Sequence, residues 1–177
     1  MFVDIIDLYF TITEQEYPVK TKIIVADFSK GATTINYIRN EINNLEIGIL
    51  GKHLCIPPYS LFFVKARQSF KFIIAFTFLL SVNNVGMQYT YPMVVGEVPE
   101  QQLWDIININ VGAVTMMTRI LVEDMKKRKK GAIVNVSSGS ELQPLPLMTV
   151  YAASKVILLL LLFICETSKI KLNYNKS

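Results

Sequence analysis

Residues 99–136 constrain the fold of this chain more than any other stretch. Leu103, Ile106, Ile107, Val111, Val114, Met117, Leu121 and Met125 recur at the 3.6-residue period of a helix with one apolar stripe. The spacing predicts one long helix over 99–125, with Pro99 suited to its first turn. The basic run "KKRKK" (126–130) follows, where cations favour the helix dipole. Gly131 then opens "GAIVNV" (131–136), a β-branched apolar run of strand length. A striped helix feeding a buried strand needs a sheet to pack against, and the rest of the chain supplies the signals for one. "KIIVADF" (22–28) predicts a buried strand, and Lys30-Gly31 turns the chain. Ile35, Ile38 and Ile42 fall at helical spacing over 33–44, "LEIGIL" (45–50) starts another strand, and Tyr151 opens a further helix. Strands alternating with helices predict an α/β fold built on a parallel sheet.

The chain has 177 residues, 51% of them hydrophobic, which is enough for one domain with a core. Its net charge of +4 is modest, and its one basic run reads as a helix terminus rather than a nucleic-acid surface. Cys55 and Cys165 lack CxxC spacing, so neither a disulfide framework nor a zinc site is expected. His53 is the single histidine, and no metal is expected there. The apolar runs at 72–82 and 156–165 are well short of the roughly 20 residues a spanning helix needs. The first residues carry Asp4 and Asp7 and no basic start, unlike a secretory signal. A soluble or membrane-surface chain is the expectation.

Candidate chemistry begins with Tyr151 and Lys155, which at i and i+4 share one helix face. An ammonium beside a phenol favours the phenolate, so such a pair can act as a general acid/base near neutral pH. Ser138 follows "GAIVNV" at the carboxyl end of a strand, where open α/β sheets bind ligands. A Tyr-Lys pair alone is more often a solvated surface contact. Further motifs accompany this one: "NNVG" (83–86), "ININV" with Asn110, and "SSGS" (137–140).

Together with "TKIIVADFSKG", "IGIL" and "RKKGAIVNVSSGS", these motifs resemble the short-chain dehydrogenase/reductase family. The resemblance covers roughly 14–50 and 82–155. Its branch is that of the 17-beta-hydroxysteroid dehydrogenases and very-long-chain 3-oxoacyl-CoA reductases. It implies a Rossmann-fold oxidoreductase that passes hydride between NADP(H) and a small lipid or steroid carbonyl compound. It also implies lipid or steroid metabolism, at the endoplasmic reticulum or mitochondrion. By that resemblance Tyr151 would give the proton to the carbonyl oxygen, and Lys155 would assist it and bind the nicotinamide ribose. Ser138 would orient the carbonyl, and Asn110 would hold a relay water. Asp27 would sit by the adenine, and Asn84 and Gly86 would line the cofactor cleft. Some members of the branch lack the tyrosine and are called inactive, whereas Tyr151 is present here.

The chain departs from that family in three places. No glycine precedes Gly31, so the glycine-rich turn that receives the pyrophosphate has no counterpart before Asp27. The expected fold is therefore a partial Rossmann fold, a parallel sheet with flanking helices lacking the first two strand-helix units and the C-terminal part. In the strand order 3-2-1-4-5-6 this leaves "KIIVADF", as strand 3, without a sheet neighbour. Second, 51–81 splits the family strand "IGIL…VNNVG", and an insertion there is expected to leave backbone groups unpaired. Third, the family pattern is expected to stop at Lys155. Gly51-Lys52 and Lys155-Val156 can both be encoded by splice-donor sequences, so 51–81 and 156–177 read as retained intron. The partial domain would then be 14–155, interrupted by 51–81 and followed by a non-family apolar tail. An incomplete and inactive reductase is the expectation; the alternative is a non-catalytic remnant acting as a binding or membrane-associated protein.

Overall fold

A computed structural model describes residues 19–45, 47–56, 59–67, 79–143 and 145–166. Strand β1 (Val19–Ala26) leads through a 3-10 turn (Phe28–Lys30) into helix α1 (Ala32–Ile42). Strands β2 (Ile47–Ile56), β3 (Tyr59–Arg67) and β4 (Leu79–Asn84) follow. Helix α2 (Glu100–Arg128), strand β5 (Gly131–Asn135) and helix α3 (Thr149–Glu166) complete the described fold. The five strands form one sheet in the order β1-β3-β2-β4-β5.

β2, β4 and β5 pair in parallel, as the alternating pattern predicts. β3 pairs antiparallel with both β1 and β2, so it alone runs against the other four. This corrects the expectation of an unpaired first strand: β1 is paired along its whole length, from Val19 opposite Arg67 to Ala26 opposite Ser60. The segment read as an insertion supplies the partner. β2 continues past Leu50 to Ile56, and β3 returns to fill the gap between β1 and β2. Backbone N–H and C=O groups must be paired when buried, and this hairpin pairs those that the missing parallel strands would have served. The two halves of the family strand, "IGIL" in β2 and "VNN" in β4, lie in separate strands side by side, with Leu50 opposite Ser81 and Gly51 opposite Val82.

All three helices cover one face of the sheet. On that face Ile24, Leu50, Leu79 and Ile133 bury against Ile35, Ile38 and Ile42 of α1 and Met117, Leu121 and Met125 of α2. α3 docks on the same face, where Asn135 Nδ2 donates to the Leu158 carbonyl at 3.3 Å and Leu158 is buried. The alternate residues of the strands point the other way. Ile23, Ile49, Leu80, Val82 and Val134 are only half-buried, and Val25 is 51% exposed. By length and composition α2 could cross a bilayer, and its apolar stripe is buried in the core just described. α3 runs without a break through Lys155 and Val156 to Glu166.

α2 contains a π-helical turn, Asn108–Gly112, between its two α-helical halves. Such turns insert one residue into the ladder and re-aim the side chains around it. Two asparagines use that turn: Asn108 Nδ2 donates to the Ser29 carbonyl at 2.8 Å, and Asn110 faces the other way, toward α3. The helix ends as the sequence predicts, with Lys126, Lys127 and Arg128 in its last turn and Lys129 in the left-handed conformation at φ 56°.

Gly131 is required by the packing of β5 beneath α2. A Cβ there would lie 2.5 Å from Met125 Cγ and 2.9 Å from Met125 Cβ, an atom that cannot swing aside. Gly131→Ala is expected to lower stability by about 1–3 kcal/mol, the usual cost of overpacking. Equilibrium urea unfolding measures it, and an unchanged midpoint would show that the helix and strand are looser than this geometry.

Candidate active site

The carboxyl ends of β4 and β5 and the first turns of α3 enclose an open cleft of about 490 Å³. Asn84, Gly86, Tyr89, Ser137, Tyr151 and Lys155 line it. Two hydrogen bonds fix where α3 begins. The Val150 N–H donates to Tyr89 Oη at 3.2 Å, and the Met93 N–H donates to the Leu147 carbonyl at 2.9 Å. With its start set, α3 turns Tyr151 and Lys155 into the cleft together, as their spacing predicts.

Asn110 clamps the arrangement from below. It is fully buried; its Nδ2 donates to the Met87 carbonyl at 2.9 Å and to Ser154 Oγ at 2.8 Å, while Oδ1 accepts from the Met87 N–H at 2.7 Å. Ser154 Oγ in turn donates to the Tyr151 carbonyl at 2.6 Å. One amide thus ties the loop after β4, the π turn of α2 and the first turns of α3. Both of its N–H groups are engaged, which leaves one lone pair of Oδ1 for a water.

Lys155 is buried, and its Nζ stands 5.6 Å from the centroid of the Tyr151 ring. Gly86 makes room for it: a Cβ at Gly86 would lie 2.7 Å from Nζ. Burial pushes the Lys155 ammonium below its ordinary value, and the Glu141 carboxylate opposes that shift. Glu141 also accepts a hydrogen bond from the single O–H of Ser137, for which the Lys155 carbonyl at 3.3 Å is the alternative acceptor.

Two other expected site residues lie outside the lining. Ser138 caps the 3-10 turn Gly139–Glu141, its Oγ accepting from the Ser140 N–H at 3.3 Å, and its neighbour Ser137 lines the cleft instead. Asp27 closes β1, where its carboxylate accepts from the Ser29 N–H at 3.0 Å and Ser29 Oγ at 2.7 Å. Sequence reasoning passed over Ser154 and Glu141. Ser138-x-x-Glu141 is the spacing of a capping box, which was the available signal for the second; Ser154 had none.

The residues present fit one end of a dinucleotide and not the other. Tyr151, Lys155, Asn84 and Gly86 form a polar cleft able to hold a ribose and a flat ring. The pyrophosphate end requires a parallel strand that turns into a helix N-terminus between the positions of β1 and β2. That position holds antiparallel β3, so the chain presents a hairpin there. One strand in place of two also brings β1 closer to β2 by one spacing, about 4.8 Å. Among the described residues, no group of three His, Cys, Asp or Glu could hold a metal.

The chain belongs to the short chain dehydrogenase family, whose model matches residues 72–163, more than half of the sequence. Hydroxysteroid dehydrogenase-like protein 1 of Gallus gallus is 39% identical over 144 residues, which are 81% of this chain and 34% of that protein. The Homo sapiens protein named inactive hydroxysteroid dehydrogenase-like protein 1 is 37% identical over 142 residues, covering 80% and 34%. The very-long-chain 3-oxoacyl-CoA reductase of Anas platyrhynchos is 37% identical over 146 residues, covering 81% and 36%. The chain spans about a third of the length of these curated relatives. Among solved structures, ElxO with NADP bound superposes with a TM-score of 0.56 at 22% identity, covering 84% of this chain and 49% of that one. A metagenomic short-chain oxidoreductase in complex with NADP gives 0.50 at 22% identity, covering 54% and 44%. These likenesses are of fold: a truncated Rossmann sheet with helices on one face.

Proposed function

We propose that this chain carries the carbonyl-facing half of a short-chain reductase centre and does not turn over by itself. The observation that supports this most is the convergence of Tyr151 and Lys155 with Asn84 and Gly86 in one cleft at the carboxyl ends of β4 and β5. In that reading Tyr151 delivers a proton to the oxygen of a bound ketone and Lys155 lies beside it as the positive group. Ser138, which follows Ser137 of the lining, orients the carbonyl once its hydroxyl turns from the Ser140 N–H. Asn110 holds the catalytic turn in place and offers Oδ1 to a relay water. Asp27 marks the adenine end in a complete enzyme. The hydride in this class comes from NADP(H), for which the present chain lacks the pyrophosphate end.

The kinship we infer within the family is with hydroxysteroid dehydrogenase-like protein 1, and the substrate class is a ketosteroid or a 3-oxoacyl thioester. The endoplasmic reticulum or mitochondrion is the proposed compartment. Segments 51–81 and 156–177 are proposed to be retained intron, which predicts a major transcript that joins Leu50 directly to Val82 and diverges after Lys155. A spliced, full-length version that also carries the glycine turn is expected to reduce such a ketone with NADPH. Tyr151→Phe in it is expected to lower kcat by about 10²–10⁴ while cofactor binding persists. An undiminished Tyr151→Phe rate would refute the assignment of the proton donor, and turnover by the 177-residue chain would refute its inactivity.

One observation favours a second reading, a non-catalytic binding or membrane-associated protein. On the sheet face opposite the helices, the described side chains of Ile23, Val25, Ile49, Leu80, Val82 and Val134 are apolar and partly open, with Val25 51% exposed. Flotation of the chain with lipid vesicles separates this from the first reading.

A further inference from the structure

Strands β1, β2, β4 and β5 all run the same way, so the molecule has two unlike ends. The cleft lies at their carboxyl ends. There the carboxylates of Asp27, Glu97, Glu100, Asp105 and Glu141 outnumber the cations Lys30 and Lys155. The amino ends carry the opposite charge. Helices α1 and α2 both finish there, α1 with Arg39 in its last turn and α2 with Lys126, Lys127 and Arg128 in its own. Arg128 Nη1 donates to the Ile47 carbonyl at 2.8 Å, which pins the basic run to the first residue of β2. Around that anchor Lys126, Lys127, Lys129 and Lys130 are exposed. Glu123 and Asp124 pair with Lys126 and Lys127, so the run from Lys126 to Lys130 keeps an excess of positive charge. An apolar row lies at the same end. On the sheet face away from the helices, Ile49 of β2, Leu80 of β4 and Ala132 of β5 are neighbours in register, and all three are half-buried.

We propose that the amino end of the sheet docks on an anionic lipid bilayer, with the basic run at the level of the lipid phosphates and the apolar row at the edge of the hydrocarbon. The proposal rests on the membrane-associated reading above and adds to it the surface and the lipid charge. A lysine held near an anionic bilayer strengthens binding by about five-fold, an effect that multiplies along a run. Burial of an apolar edge adds an attraction that salt does not screen. A nucleic acid would engage the cations and leave the apolar row without a role, whereas lipid uses both. The carboxylates at the other end are repelled by the same surface. The chain therefore binds in one orientation, with its cleft facing the water.

The test is flotation of the purified 177-residue chain with vesicles of phosphatidylcholine alone and with vesicles that contain phosphatidylserine as well. Binding to the anionic vesicles is expected to be at least about 10-fold tighter. Raising salt from about 0.1 M to about 1 M shortens the screening length from about 10 Å to about 3 Å and should release most of the bound chain. Acylation by a water-soluble succinimidyl ester, mapped by mass spectrometry, should slow at Lys126, Lys127 and Lys129 in the bound chain. It should stay unchanged at Lys30, which is exposed at the cleft end. Lys126→Gln, Lys127→Gln and Lys129→Asn together, the last suited to the left-handed φ of 56°, should weaken anionic binding by about 10²-fold. Equal binding to both kinds of vesicle overturns the proposal and leaves a membrane-associated chain standing. Binding to neither overturns both. Capture of the chain by a DNA duplex in competition with the anionic vesicles overturns the choice of lipid and assigns the surface to nucleic acid.

Discussion

Titration with NADPH, followed by nucleotide fluorescence, is expected to show no saturable micromolar binding to the 177-residue chain. A dinucleotide is held mainly at its pyrophosphate, by backbone N–H groups of the glycine turn and the helix N-terminus that follows. Charge-assisted hydrogen bonds of that kind contribute about 1.5–3 kcal/mol each. Losing two of them weakens binding by about 10²–10⁴-fold, since each 1.4 kcal/mol is a factor of ten. Sequence shows that no glycine precedes Gly31, but sequence alone leaves open what lies at the pyrophosphate position. The fold answers that with strand β3, which runs antiparallel between β1 and β2. The position is therefore filled, and residues added upstream could not restore a parallel strand there without displacing the hairpin. Joining Leu50 to Val82 removes that hairpin but supplies no glycine turn, so the control expected to bind is a spliced, full-length version that carries both the joined strand and the glycine turn. Micromolar saturation by the unjoined chain would mean that Asn84, Gly86, Tyr151 and Lys155 suffice to hold the nucleotide.

What the sequence made legible follows from which signals are local. Helices α1 and α2 could be placed to within a few residues because Ile35, Ile38 and Ile42, and then Leu103 through Met125, repeat a local period. β5 stands out as a β-branched run after a helix stop. The pairing of β3 could not be read this way. Its partners are 19–26 and 47–56, and nothing in an apolar run names the strand it will lie beside. The same limit explains the site. Tyr151 and Lys155 meet because i and i+4 always share a helix face, whereas the contact of Asn110 with Ser154 spans 44 residues and depends on the π turn. Ser138 follows a strand, as a ligand-facing serine would, but its hydroxyl instead caps the 3-10 turn after it by accepting from the Ser140 N–H.

The largest stability effect is expected at Asn110. Asn110→Leu keeps roughly the volume of the side chain and removes its three hydrogen bonds, two to the Met87 backbone and one to Ser154. The site is fully buried, so water cannot replace them without opening the packing around Ile109 and Ala113. Each buried polar group left without a partner costs about 1–3 kcal/mol. Ser154 keeps its bond to the Tyr151 carbonyl, so the Met87 N–H and carbonyl dominate the loss. A total of about 3–5 kcal/mol is expected, against a whole-domain stability of order 5–15 kcal/mol. Two comparisons isolate the cause. Asn36→Ala removes an exposed bond to Arg39 and should cost less than about 0.5 kcal/mol. Asn108→Ala removes a single part-buried bond to the Ser29 carbonyl and should cost about 1 kcal/mol. Urea midpoints rank the three, and amide exchange at Met87 reports the clamp directly, because its N–H is protected by Asn110 Oδ1. If Asn110→Leu loses no more than Asn108→Ala and the Met87 amide stays protected, the loop after β4 is held by something other than this amide. The convergence of Gly86 on Lys155 would then need a different support.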